Sequence, residues 1–154
     1  MTRPIPTPTA CEVRAQSTGG GRVRVLGRHG TFQAEGQTPF QAPGSAPSSL
    51  ELMVGALAAD LLAGFVREVE RAGEKLDGVE LTLSAEMAHP LVALGVVGEE
   101  GSAALSRITG SLYVSGEGTE ARWRALWAQA LARAPVHATL ARAVPIDLEL
   151  KCVL

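Results

Sequence analysis

Two cysteines in 154 residues, Cys11 and Cys152, are too few and too isolated for a disulfide scaffold or a thiolate metal framework. Aromatic residues are also scarce, at 4%, so the core has to be built from Leu, Val and Ala. Helices rich in Ala and Gly approach one another closely. Excess basic charge is missing too: 14 Lys and Arg stand against 16 Asp and Glu, a net charge of −2. With neither a basic patch nor a basic run interleaved with aromatics, no nucleic acid and no anionic membrane surface is expected as a partner.

Other absences narrow the field. No apolar run reaches the roughly 20 residues of a membrane span; the longest, residues 50–66, carries Glu51 and Asp60 and reads as a buried core helix. The opening MTRPIPTPTA has no apolar h-region, so neither a secretory signal nor an anchor is expected, and the expected location is cytoplasmic. His29, His89 and His137 fall in unrelated segments without ligand spacing, so no metal and no cofactor are expected, and His137 reads as a helix-end surface residue. The STGGG run at 17–21 lacks the Lys and the following helix of a phosphate loop.

What is present reads as one domain, residues 10–154, behind a flexible proline-rich arm at 1–9, and is long enough to bury roughly two-thirds of its unfolded surface. Short segments with β-like alternation at 11–15, 22–26 and 31–35 are punctuated by STGGG and by Arg28-His29-Gly30, a hairpin turn. GQTPFQAPGSAP at 36–47 is a loop. Ser48 followed by Glu51 is a capping box, so a helix begins at Ser48, runs to about Ala72 and stops at Gly73. Its first two-thirds are apolar on every face and expected to be buried; REVERAGEK at 67–75 is expected to be charged and solvated.

Period-two alternation marks strands at 78–87, 105–115 and 145–153, with a loop or irregular hairpin connection at 88–104. Residues 119–133 carry Trp123, Leu126, Trp127, Ala130 and Leu131 at helical spacing, the two tryptophans as a packing ridge. Pro135 then breaks this helix and opens a second one to about Arg142. The order is βββ-α-ββ-αα-β, an α+β arrangement with a central buried helix.

Within that helix GALAADLLAGF at 55–65 has one polar residue, Asp60. A buried carboxylate without a partner costs several kcal/mol or stays neutral, so Asp60 needs a cation, backbone donors or a ligand. Two readings stand: Asp60 belongs to a site and pairs with an arginine, or it bonds backbone or water across a helix contact.

Three stretches in order, APSSLELMVGALAAD (46–60), LDGVELTLSAE (76–86) and APVHATLARAVPIDLEL (134–150), resemble the OsmC and organic hydroperoxide resistance family. The resemblance implies an intertwined homodimer of mixed antiparallel sheets around the central helix. It also implies a thiol peroxidase whose nucleophilic cysteine falls on Asp60 and whose resolving cysteine falls on Ala134. The family's activating carboxylate falls on Leu50, with Glu51 adjacent, and its arginine falls on Arg22, with Arg24 as the alternative. With both sulfurs replaced, the thiol chemistry is expected to be lost. A pocket at the dimer interface, for a small hydrophobic or peroxide-like ligand, is expected to remain. The alternatives are an enzyme using Asp60, an arginine and Glu51 in acid–base chemistry, or a purely structural or regulatory dimer. Cys11 and Cys152 invite a relocated redox pair if the first and last strands are neighbours, although neither follows an activating cluster.

Overall fold

The computed structural model describes residues 11–36 and 44–153. The arm at 1–9 and most of the loop expected at 36–47 lie outside the described residues. The chain divides into two compact units, Met1–Leu52 and Met53–Leu154.

In the first unit β1 (Val13–Gly19), β2 (Arg22–Gly27) and β3 (Gly30–Glu35) form an antiparallel sheet in the order β1-β2-β3. The hairpin expected at Arg28 and His29 closes between the paired Gly27 and Gly30. The first strand runs further than its alternation predicts, because a bulge between Ser17 and Gly19 carries it into STGGG. The turn itself falls on Gly20 and Gly21, both at positive φ, which glycine adopts without strain. Helix α1 (Ser49–Ala72) starts with the expected capping box: the Ser48 N–H donates to Glu51 Oε2 at 2.6 Å, and the Glu51 N–H donates to Ser48 Oγ at 3.1 Å. It ends at Gly73, at φ 69°.

The second unit holds the rest of α1, then β4 (Leu76–Met87), α2 (Pro90–Ala93), β5 (Leu105–Gly116), α3 (Glu120–Arg133), α4 (Pro135–Leu140) and β6 (Ile146–Cys152). Strand order is β4-β5-β6, with β4 antiparallel and β6 parallel to β5. The fold is therefore α+β with a mixed sheet, as expected, plus one addition: the connection expected to be loop contains the single turn α2, opened by Pro90 at its first position.

The core of this unit sits between α1, α3 and the sheet. Leu57, Leu61, Phe65 and Val69, each four residues from the next on α1, meet Ile108, Leu112 and Val114 of β5, Leu150 of β6, and Trp123, Leu126 and Trp127 of α3. Each such fully buried side chain is worth about 1.5–3 kcal/mol over exposure. The two tryptophans form the expected ridge, with the Phe65 ring edge-on to Trp127 at 5.9 Å. Gly64 lets α1 approach Ala130 of α3: a β-carbon built on it would lie 3.8 Å from the Ala130 methyl.

The burial of α1 differs from expectation. It is the one helix among the described residues long and apolar enough to cross a membrane, yet only 22% of its most apolar stretch is buried. Gly55, Ala56, Ala59 and Ala63 are exposed, whereas Glu68, expected in solvent, is buried. A helix buries the face it turns toward the sheet and α3, and Glu68 continues the stripe of Leu57, Leu61 and Phe65. The first and last strands do not pair: β1 and β6 belong to different sheets, and Cys11 and Cys152 are both exposed free thiols.

Candidate functional site

Asp60 finds its partner in backbone. Its Oδ2 accepts the N–H of Val136 at 2.8 Å and that of His137 at 3.3 Å, across 76 residues of sequence in the first case. These are first-turn donors of α4, which have no partner inside the helix. Pro135 has no N–H to satisfy, and Ala134, at the N-cap position, has no side-chain oxygen to offer. Asp60 therefore supplies the cap that the local sequence lacks, with negative charge at the positive end of the helix dipole. Ala134 itself is buried between α3 and α4, and His137 is half-buried rather than on the surface.

The other expected site residues are engaged elsewhere. Arg22 has a partner within its own unit. Its Nε lies 3.4 Å from Oε1 of Glu35, the residue opposite it on β3. Glu35 is buried, and its Oε1 also accepts the N–H and the hydroxyl of Ser45. Its Oε2 is buried without a partner among the described residues. Glu51 is exposed and committed to the capping box, and its bonds to Ser48 hold its pKa below the ordinary value of 4.5. Leu50 is half-buried beside it.

An apolar groove of about 310 Å³ adjoins the Asp60–Val136 bond. Met53 and Ala56 of α1 form one wall, and Pro135, Val136, Thr139 and Leu140 of α4 the other. Val136 thus presents its side chain to the groove while its N–H holds Asp60. A larger polar depression of about 750 Å³ lies on the sheet over Gly110, edged by hydroxyls of Thr82, Ser84, Thr109 and Ser111 and by Asp147 and Glu149. Arg107 neutralises Asp147 at 2.8 Å. No group of three or more potential metal ligands occurs among the described residues.

Sequence reasoning missed one charged cluster. The buried Glu68 Oε1 accepts Nη1 of Arg71 and Nη1 of Arg133, each at 2.8 Å, and Arg133 Nη1 also lies 2.8 Å from Oε2. The Arg133 hydrogen bond, reinforced by both positive charges, lowers the Glu68 pKa from 4.5 against the effect of burial. The signal was its helical register with Leu57, Leu61 and Phe65, hidden inside a charged run.

A helix packed on a three-stranded mixed sheet, preceded by a separate three-stranded antiparallel sheet, with a polar residue of that helix facing the start of a second one, defines an α+β protein of the OsmC-like class. A family model described as OsmC-like protein matches residues 42–149, and the chain belongs to this family. No curated protein matches it. Among solved structures it is similar to an OsmC-like protein from Mycoplasma pneumoniae, at TM-score 0.78 and 14% identity, covering 96% of this chain and 100% of that one. It is similar also to an organic hydroperoxide resistance protein OsmC from Legionella pneumophila (TM-score 0.65, 17% identity, 94% and 98% covered). The organic hydroperoxide resistance protein OhrB of Bacillus subtilis is a third (TM-score 0.61, 17% identity, 94% and 100% covered).

Proposed function

We propose that this chain is an OsmC-family protein without thiol peroxidase activity, which keeps the groove beside Asp60 as a binding site for a small hydrophobic or peroxide-like molecule. One observation carries the reading: the carboxylate at the position where the resemblance places the nucleophile is bonded to two N–H groups of α4. In the thiol reaction a thiolate attacks a peroxide oxygen, an alcohol leaves, and the resulting sulfenic acid condenses with a second thiol to give a disulfide and water. Asp60 cannot undergo that oxidation, and the methyl of Ala134 cannot resolve it. The acid–base alternative is weaker, because Arg22 is paired with Glu35 and Glu51 with Ser48.

The working unit in this reading is a cytoplasmic homodimer. The exposed Gly55, Ala56, Ala59 and Ala63 make a small-residue face of α1 on which a second copy packs closely, and light scattering at micromolar concentration should report twice the mass of one chain.

The test of lost chemistry is direct. The wild type should reduce organic hydroperoxides no faster than background with any thiol reductant supplied. The double variant Asp60→Cys, Ala134→Cys should form an intrachain disulfide on peroxide treatment, since Asp60 already reaches the residue two beyond Ala134. Turnover by the wild type would overturn the proposal and transfer attention to Cys11 and Cys152.

A further inference from the structure

The α4 cap uses only half of the Asp60 carboxylate. Both donors, the Val136 N–H at 2.8 Å and the His137 N–H at 3.3 Å, fall on Oδ2. Oδ1 accepts no hydrogen bond among the described residues. It is not buried either, since Glu35 Oε2 is the one buried side-chain atom among them without a partner; Oδ1 is therefore open to solvent. No Lys, Arg or His forms an ion pair with Asp60 among the described residues. Backbone donors thus satisfy one oxygen of a half-buried carboxylate and leave its charge without a counter-ion.

The surroundings narrow what can supply that counter-ion. Met53, Ala56 and Asp60 stand at i, i+3 and i+7 of α1 and so share one face. The first two form a wall of the apolar groove, and Asp60 comes next along the same line. On the other wall Val136 both lines the groove and holds Oδ2, so the carboxylate stands at the groove's end. The walls offer a ligand no free side-chain donor: the Thr139 hydroxyl donates to the Pro135 carbonyl at 2.7 Å, and the other lining side chains are apolar. An anionic or carbonyl head finds nothing there to accept from. The volume of about 310 Å³ holds about ten methylene-sized groups, at the roughly 30 Å³ that a water fills. We infer that the groove takes a primary alkylammonium, with its hydrocarbon chain between Met53, Ala56, Val136 and Leu140 and its ammonium head on Asp60 Oδ1. A neutral hydroxyl or hydroperoxide can donate to Oδ1, but only a cation also neutralises the charge, and a hydrogen bond between ionised partners is about twice as strong as a neutral one. An apolar neighbour strengthens it further by lowering the local dielectric. The inference rests on the groove being the binding site proposed above and names the class of molecule it binds.

The experiment titrates the full chain with hexylammonium at neutral pH and fixed ionic strength, with hexanol and hexanoate in parallel, and follows the methyl resonances of Met53, Ala56 and Val136 by NMR. Hexylammonium should shift them saturably, with Kd about 1 mM or tighter. Hexanol, with the same chain and no charge, should bind about tenfold more weakly, and hexanoate should not saturate. Butylammonium, two methylenes shorter, should lose about tenfold. Two variants separate head from tail. Asp60→Asn keeps an oxygen for the α4 donors but removes the charge, and should erase the preference for the amine while leaving hexanol unchanged. Thr139→Phe, at an exposed position on the groove wall, fills the groove and should abolish binding of both. Equal affinity for hexylammonium and hexanol in the wild type overturns the inference and leaves the groove reading standing; failure of both to bind overturns the two together. A preference for the amine that survives Asp60→Asn, or amine binding that survives Thr139→Phe, puts the cation elsewhere and also overturns the inference. The amine and the alcohol are compared in the wild type, so the charge is tested even if Asp60→Asn fails to fold.

Discussion

Asp60 behaves as a helix cap delivered from another helix. Removing the carboxylate in Asp60→Ala leaves the Val136 and His137 N–H groups without their acceptor and should cost about 1–2 kcal/mol, as loss of an N-cap does. Asp60→Asn keeps an acceptor oxygen but not the charge, and should cost less; urea denaturation of the two variants gives the order. That Asp60 must have a partner was legible, since the physics of a carboxylate in GALAADLLAGF demands one. Which partner was not legible. Backbone donors carry no mark in a sequence, and Arg22 attracted attention by its charge while its own partner, Glu35, waited opposite it on a neighbouring strand. Glu68 escaped for the opposite reason. Set among Arg67, Glu70 and Arg71 it looks solvated, and only the packing of α3 against α1 buries it.

Elements tell a more favourable story for sequence reading. The capping box, the glycine stop of α1, the Pro135 break and the alternation of β4, β5 and β6 all express local rules, and all appear within two residues of where those rules put them. The additions are the elements with the weakest local signal: the four-residue α2, and the extension of β1 through a bulge. Glycines in two elements should respond oppositely to substitution. At Gly64 an added methyl meets Ala130 and Arg67 at ordinary contact distance in a helical backbone, so Gly64→Ala should raise stability by about 0.5–1 kcal/mol. At Gly110, in the middle of the central strand, the methyl collides with Leu83 and with the Thr82 carbonyl, and Gly110→Ala should lose about 1–3 kcal/mol. Thermal unfolding of the pair measures both signs.

Acid should loosen both ends of α1. Glu51 and Glu68 have folded-state pKa values below their ordinary 4.5, so the unfolded chain takes up their protons more readily than the folded one. Their contribution is complete above about 4.5 and is lost as pH falls through the lower folded-state values. Denaturation midpoints should therefore be flat from pH 7 to about 5 and fall below that, and Glu68→Gln should make the fall shallower.

At the scale of the whole molecule, the placement of β6 has a kinetic meaning. β4 and β5 are sequential and antiparallel, whereas β6 pairs parallel to β5, Ile108 with Ile146, only after the chain has passed through α3 and α4. Closing that longer excursion costs more chain entropy before any contact is gained, and it becomes favourable once α3 has packed Trp123 and Trp127 on Phe65. The sheet is thus assembled as a hairpin first and sealed by its third strand last. In a pulse-labelled hydrogen-exchange experiment during refolding, amides of β4 and β5 should gain protection before those of β6. Until then Leu112 and Val114 face a half-open seam, and β5 is left with a free edge able to pair with β6 of another molecule. Refolding yield should therefore fall with protein concentration, through exchange of this one strand between chains.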